Sequence, residues 1–215
     1  MSGAELVIFD CDGVLVDSER VSVGVVQRVL ADLGWSLTID EIVERFVGGS
    51  QEHFDAQVEE QLGRRLAPGW DDSYRPWYRT AFERELEAVP GIACALEELT
   101  LPWCVASNSS HAQIRRTLGH VGLLHRFDGR IFSAEDVARA KPAPDVYLLA
   151  AETMGFPPER CVVVEDSRYG VQAARAAGMR VLGFAGGLTP AHWLEEEGAT
   201  VFTSMEELRG LVEPA

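Results

Sequence analysis

The sequence predicts an α/β protein with a doubly wound, parallel, Rossmann-like sheet and a helical block inserted after the first strand. Short apolar runs typical of buried strands alternate with helical stretches from about residue 91 onward. One run of the same kind lies near the N-terminus, at residues 5–9. Residues 17–88, which separate it from the alternating part, contain no convincing strand. The 215 residues are enough for one large domain or for one domain carrying an insertion.

Strands are predicted where a short apolar run is bounded by turn or loop residues. These runs are residues 5–9, 103–106, 130–132, 161–164, 181–184 and 200–202. Helices are predicted over residues 91–99, 112–118, 145–154, 171–177, 191–196 and 205–211. This alternation favours a single core domain made of residues 1–16 and 89–215.

The inserted block, residues 17–88, is predicted to be a domain of four helices. They are expected to run from Ser18 to residue 33, from Thr38 onward, from Ser50 to residue 62, and over residues 72–86. Ser18, Thr38 and Ser50 are residue types that cap helix N-termini. Glu41, three positions after Thr38, completes a capping box.

The charge balance excludes some classes of partner. The chain has 34 acidic and 19 basic residues and a formal net charge of -15, so it would repel a nucleic acid backbone. No apolar stretch approaches the roughly 20 residues needed to span a bilayer. The N-terminus reaches Glu5 without the basic and apolar segments of a secretion signal. We therefore expect a cytoplasmic protein with neither nucleic acid nor membrane partners.

Polar residues cluster where the predicted strands end, and in open α/β sheets ligands bind beyond the carboxyl ends of the strands. These residues are Asp10, Asp12, Ser107, Asn108, Glu165 and Asp166, joined by Lys141 in the loop before the helix at residue 145. Lys141 is the only lysine among the 19 basic residues. A lone lysine among arginines is either a matter of chance or a position that requires a compact ammonium group.

These residue types together suit phosphoryl chemistry. Carboxylates that converge on a small volume repel one another, so such a cluster implies a bound cation. A ligand set made only of oxygen atoms points to Mg2+. The cation, Lys141, and the polar groups of Ser107 and Asn108 would together form a receptor for a phosphoryl group.

The same residues carry a family resemblance. Residues 10–19 resemble the first motif of the haloacid dehalogenase superfamily, and residues 105–108, 141–145 and 163–167 resemble its second, third and fourth motifs. Their order, their spacing and the helical insertion match the subgroup with a helical, C1-type cap. The resemblance covers nearly the whole chain.

The resemblance implies a role for each motif residue. Asp10 would attack phosphorus, and Asp12 would act as general acid and then general base. Magnesium would be bound by Asp10, Glu165, Asp166 and the backbone carbonyl of Asp12. Ser107 and Asn108 would donate hydrogen bonds to the phosphoryl oxygens, and Lys141 would neutralise the charge shared by Asp10 and the phosphate. Dehalogenases lack a second aspartate at the position of Asp12, so phosphate-ester chemistry is favoured.

The predicted activity is therefore that of a Mg2+-dependent phosphatase acting on a small phosphorylated metabolite such as a sugar or sugar-acid phosphate. Within the superfamily, residues 85–109 look most like bacterial 6-phosphogluconate phosphatases. Closure of the cap would exclude bulk water, and Gly49, Ser50 and Gln51 are candidate specificity residues because glycine lets backbone approach a ligand closely. A monomer is the default expectation.

Two alternatives are retained. The first is a hexose-phosphate mutase of the β-phosphoglucomutase type, whose motifs are nearly the same. That group uses a histidine and a phosphate-binding arginine where this chain has Ser22 and Gln51, and this difference favours hydrolysis. The second is a non-catalytic protein that binds a phosphorylated metabolite. The presence of both Asp10 and Asp12 favours an enzyme.

Overall fold

The fold consists of two compact units, taken here from a computed structural model that describes residues 3–47 and 51–213. One unit comprises Met1–Asp17 and Glu87–Ala215, and the other comprises Ser18–Leu86. The first unit contains all residues of the four sequence motifs except Ser18 and Glu19, which belong to the second unit.

The first unit is built on a parallel sheet of six strands. The strands are β1 (Leu6–Phe9), β2 (Trp103–Ser107), β3 (Ile131–Ser133), β4 (Cys161–Glu165), β5 (Arg180–Phe184) and β6 (Thr200–Phe202). Their order is β3-β2-β1-β4-β5-β6, and every neighbouring pair is parallel. All four residues of β1 are completely buried, as expected for a central strand covered on both faces. The predicted doubly wound α/β sheet is confirmed.

The second unit is entirely helical in its regular structure within the described residues. Its α-helices are α1 (Ser18–Asp32), α2 (Ile39–Phe46), α3 (Gln51–Leu62) and α4 (Arg75–Glu85). The helix predicted over residues 72–86 begins as a 3-10 turn, Asp72–Tyr74, and becomes α-helical at Arg75. Ser50, the expected start of α3, lies outside the described residues.

The remaining helices pack in the first unit. They are α5 (Ile92–Glu98), α6 (His111–His120), α7 (Asp145–Met154), α8 (Arg168–Ala176), α9 (Ala191–Glu196) and α10 (Leu208–Val212). A 3-10 turn, Met205–Glu207, precedes α10, so the helix predicted from residue 205 starts three residues later. No helix within residues 3–47 or 51–213 has the length and apolar composition needed to cross a membrane.

The topology creates one position where functional groups can converge. Within the sheet, β2 and β3 lie to one side of β1, and β4, β5 and β6 lie to its other side. The strand order therefore reverses between β1 and β4. The connections on the two sides of this reversal diverge and leave a crevice at the carboxyl ends of β1 and β4. Asp10 lies at this end, and its backbone N–H donates to the carbonyl of Val164 at 2.9 Å.

The capping box predicted at Thr38 is present. The backbone N–H of Glu41 donates to Thr38 Oγ1 at 3.3 Å, and the Thr38 N–H donates to Glu41 Oε2 at 2.8 Å. We expect Thr38→Ala to lower the free energy of unfolding by about 1 kcal/mol, because the Glu41 N–H at the start of α2 loses its acceptor.

Urea denaturation followed by circular dichroism measures this change. Thr38→Ser keeps the hydroxyl group and is the matched control. Equal destabilisation by the two substitutions would contradict the assignment of the effect to the hydrogen bond.

Candidate active site

A tight loop follows β1 and carries the first two aspartates. The carbonyl of Cys11 accepts from the N–H groups of both Leu15 and Val16, at 3.0 and 3.1 Å, which turns the chain sharply. Gly13 adopts a positive φ of 81°, and a Cβ atom there would lie 1.8 Å from Asp166 Oδ2. Glycine therefore permits both the turn and the close approach of the Asp166 carboxylate to this loop.

Lys141 occupies the centre of the cluster. Its ammonium group donates to Asp10 Oδ1 at 2.5 Å, to Glu165 Oε1 at 2.8 Å and to the carbonyl of Ala106 at 3.0 Å. These contacts use all three donor directions of an ammonium group. The lysine side chain is only 3% exposed. A planar guanidinium of larger volume would not satisfy the same three acceptors, which accounts for a lysine here in an arginine-rich chain.

Glu165 supports Lys141 and is itself held firmly. The hydroxyl of Tyr147 donates to Glu165 Oε1 at 2.9 Å, and the Lys141 ammonium lies 4.5 Å from the centre of the Tyr147 ring. Glu165 Oε2 accepts from both the N–H and the hydroxyl of Ser167, each at 2.9 Å. Four donors thus engage the two carboxylate oxygens, and a role of Glu165 as a metal ligand would require it to give up one of these hydrogen bonds.

Asn108 fixes the main chain of Lys141. Its Oδ1 accepts from the Lys141 N–H at 2.9 Å, and its Nδ2 donates to the Lys141 carbonyl at 3.2 Å. The Asn108 side-chain amide therefore positions the loop that carries Lys141, 33 residues away in the sequence. Donation by Asn108 to phosphoryl oxygens stays a prediction.

Ser109, to which the sequence analysis assigns no role, is hydrogen-bonded to both Ser107 and Asp12. Ser109 donates its hydroxyl to Asp12 Oδ2 at 2.8 Å and its N–H to Ser107 Oγ at 3.1 Å. Ser107 is buried at the end of β2, whereas Asp12 is half-buried. Ser109 lies in the run 107–110 of polar residues, and this run is the sequence signal for it.

Negative charge exceeds positive charge in this cluster. Burial raises the pKa of Asp10 to about 7, and the neighbouring Glu165 and Asp12 add to the effect while Lys141 opposes it. Burial would lower the pKa of Lys141, but the charges of Asp10 and Glu165 outweigh burial and raise it. For Glu165, burial is outweighed by the charge and hydrogen bond of Lys141 together with the hydrogen bonds from Ser167, and its pKa is lowered.

The donor chemistry fits a hard cation. Four carboxylates, those of Asp10, Asp12, Glu165 and Asp166, are accompanied by one ammonium group, and an additional cation would relieve the excess negative charge. In residues 3–47 and 51–213, no three His, Cys, Asp or Glu side chains form a group able to hold a metal. Backbone or water oxygens would have to complete the coordination.

The candidate specificity residues fall within the sequence range of the helical unit, Ser18–Leu86. Gly49 and Ser50 are outside the described residues. Gln51 Nε2 donates to Asp55 Oδ1 at 2.9 Å, one turn along α3. Gln51 also lines a cavity of about 440 Å³ within this unit, together with Trp70, Asp71 and Tyr74.

Lys141→Arg is predicted to destabilise the protein although it conserves charge. The larger guanidinium would overpack a buried site and lose part of the three-way contact, at a cost of about 2 kcal/mol or more. Urea unfolding measures the effect. Arg139→Lys is the matched control, because Arg139 is 70% exposed in its ion pair with Asp145. An equally small effect of both substitutions would contradict the proposed packing around Lys141.

Comparison with known proteins identifies the family. The model of the haloacid dehalogenase-like hydrolases matches residues 4–178. The chain is 35% identical over 185 residues to 6-phosphogluconate phosphatase from Escherichia coli strain K12, covering 86% of this chain and 84% of that protein.

Two solved structures also resemble this one. A conserved haloacid dehalogenase-like protein of unknown function from Agrobacterium tumefaciens is 40% identical, with a TM-score of 0.91 and 98% of each chain covered. A family hydrolase from Deinococcus radiodurans, with bound phosphate and sodium, is 34% identical, with a TM-score of 0.88 and 100% of each chain covered. The chain belongs to the haloacid dehalogenase-like hydrolase family.

Proposed function

We propose that this protein is a Mg2+-dependent phosphatase that hydrolyses a small phosphorylated metabolite through an aspartyl-phosphate on Asp10. The observation that carries the proposal is the position of the Asp10 carboxylate. It lies at the carboxyl end of the central strand, 2.5 Å from a buried ammonium group, with a second aspartate two residues away. Nucleophilic phosphoryl transfer requires a carboxylate fixed in position as the nucleophile and an acid close to it.

In the first step, an oxygen of Asp10 attacks the phosphorus atom of the ester. The bond from phosphorus to the ester oxygen breaks, and its electron pair remains on the ester oxygen. That oxygen takes a proton from the carboxyl group of Asp12 and leaves as an alcohol. The products of this step are the aspartyl-phosphate on Asp10 and an ionised Asp12.

In the second step, Asp12 acts as a general base. It takes a proton from a water molecule, and the water oxygen attacks phosphorus. The bond from phosphorus to Asp10 breaks, and its electron pair returns to the Asp10 carboxylate. Inorganic phosphate is released and Asp12 is protonated again, so the site is restored.

The other motif residues position the phosphoryl group. Ser107 would donate its hydroxyl and Asn108 its backbone N–H to phosphoryl oxygens, while the Asn108 side chain keeps Lys141 in place. Lys141 would share its charge between Asp10 and the phosphate. Such preorganised donors stabilise the transition state more than the ground state because the charge they meet develops during the reaction.

The residues proposed to hold Mg2+ are Asp10 and Asp166 through their side chains and Asp12 through its backbone carbonyl. Glu165 is omitted from this set because its oxygens already bind Lys141, Tyr147 and Ser167. When bound, Mg2+ would supply positive charge that keeps Asp10 ionised and neutralises the phosphoryl oxygens.

The proposed substrate is a sugar or sugar-acid phosphate, with 6-phosphogluconate as the first candidate. The 35% identity to 6-phosphogluconate phosphatase supports this class. The phosphate bound in the Deinococcus radiodurans hydrolase supports a phosphorylated ligand. We assign the core role to residues 1–16 and 89–215 and the cap role to residues 17–88. A monomeric state and a cytoplasmic location stay predictions.

No observation favours the two alternatives over hydrolysis. A mutase would have to bind a second phosphate, and the position expected for its arginine holds Gln51, whose amide donates to Asp55. A non-catalytic binding protein would not need both Asp10 and Asp12.

The test is phosphate release from a panel of esters: 6-phosphogluconate, hexose phosphates, phosphoglycolate and nucleoside monophosphates. We expect release to require Mg2+ and to fall by about a thousandfold or more in Asp10→Asn, because the nucleophile is lost. Protein treated with EDTA and then returned to Mg2+ separates metal dependence from damage.

Asp128→Asn, which changes an exposed aspartate of the same unit, is the matched control and should leave the rate unchanged. Release that survives Asp10→Asn would contradict the proposal, as would the absence of release from every ester by folded, Mg2+-supplied protein.

A further inference from the structure

We infer that Ser109 is a positioning residue for Asp12, and that its hydroxyl prepares Asp12 to protonate the leaving group. The inference rests on the proposed phosphatase function. It assigns a role outside the residues to which the four motifs give roles, and it concerns the step that distinguishes ester hydrolysis from dehalogenation.

The contact between the two residues is direct and long-range. Ser109 Oγ donates to Asp12 Oδ2 at 2.8 Å, across a sequence separation of 97 residues. This is a good distance for a hydroxyl that donates to a carboxyl oxygen. It joins the loop after β1 to the loop after β2, the two segments proposed to supply the acid and the phosphate donors.

The backbone of Ser109 is fixed on both sides of its side chain. Its N–H donates to Ser107 Oγ at 3.1 Å, and its carbonyl accepts from Ser133 Oγ at 2.7 Å. Ser133, fully buried at the end of β3, is held in turn by its N–H bond to Asp136 Oδ2 at 2.9 Å. The hydroxyl of Ser109 is therefore presented to Asp12 by a rigid frame anchored on two strands.

The hydrogen bond has a consequence for the proton. A neutral carboxyl group has one O–H donor and keeps acceptor capacity, so the Ser109 hydroxyl can donate to Asp12 Oδ2 while the other oxygen carries the acid proton. As the ester bond to phosphorus breaks, that proton moves to the leaving oxygen and Asp12 becomes an anion. A hydrogen bond to an ionised acceptor is stronger than one to a neutral acceptor, so Ser109 favours the transition state over the ground state.

This role predicts that the effect of removing the Ser109 hydroxyl depends on the leaving group. A general loss of structure would slow all substrates alike. An alkyl leaving group needs a proton because the alkoxide is very basic, whereas p-nitrophenolate leaves without one. Ser109→Ala should therefore slow release of the sugar alcohol from the best sugar phosphate by about tenfold or more under single-turnover conditions. Release of p-nitrophenol from p-nitrophenyl phosphate should change by less than about threefold.

Three variants sharpen the experiment. Asp12→Asn sets the full signature expected when the acid is absent. Ser109→Thr keeps a hydroxyl and should recover most of the sugar phosphate rate. Ser110→Ala is the matched control, because Ser110 Oγ caps α6 by accepting from the Gln113 N–H at 3.3 Å and its loss loosens the same loop. Circular dichroism of each variant verifies folding.

The outcomes separate the inference from the function on which it rests. Leaving-group discrimination in Ser109→Ala, rescued by Ser109→Thr and absent in Ser110→Ala, would support the inference. Equal slowing of both substrates by Ser109→Ala, or discrimination equal to that of Ser110→Ala, would overturn it while the phosphatase stands. A wild-type protein that hydrolyses neither substrate, or an Asp12→Asn variant without discrimination, would overturn the inference together with the proposed role of Asp12.

Discussion

The buried ammonium group of Lys141 joins two of the carboxylates at the carboxyl end of the sheet, those of Asp10 and Glu165. Its three hydrogen bonds join Asp10 after β1, Glu165 at the end of β4 and the carbonyl of Ala106 in β2. Removing charges from water is costly, and the arrangement is stable only because each charged group finds a partner of fixed geometry. The surrounding contacts keep this ammonium group in place.

The residues that make these contacts come from separate parts of the chain. Asn108 binds the main chain of Lys141 through both its N–H and its carbonyl, and Tyr147 on α7 supports Glu165. The topology makes their meeting possible, since β1 lies between β2 and β4 and all three carboxyl ends face the same edge. Burial raises the pKa of Asp10, and the neighbouring carboxylates of Glu165 and Asp12 add to the effect. The excess negative charge of the cluster suits a cation and a phosphoryl group.

The sequence was sufficient for the fold and for most of the residues that converge. Apolar runs predicted all six strands because the central strands are buried on both faces and contain almost only apolar residues. The lone lysine predicted a special environment for Lys141, and the structure places it there. The 3-10 turns before α4 and α10 were missed, because helical periodicity does not distinguish the tighter first turn.

Side-chain direction was the part that sequence could not supply. Asn108 and Glu165 were recognised as site residues, but their partners are set by tertiary packing with segments 33 and 24 residues away. Tyr147 lies within a predicted helix and carries no motif, and only the fold shows that its buried hydroxyl reaches Glu165. Ser109 was overlooked because its contact with Asp12 depends on the adjacency of β1 and β2.

The most direct test of Asp10 as the nucleophile of this cluster is to trap the covalent intermediate. Protein turning over 6-phosphogluconate, or the best ester of the panel, would be quenched rapidly in acid and digested, and the peptides would be weighed by mass spectrometry. We predict that the peptide containing Asp10 gains the mass of one phosphoryl group, only when Mg2+ is present, and that fragmentation places the group on Asp10. Phosphate release during turnover without a label on that peptide, or a label on another residue, would contradict the account.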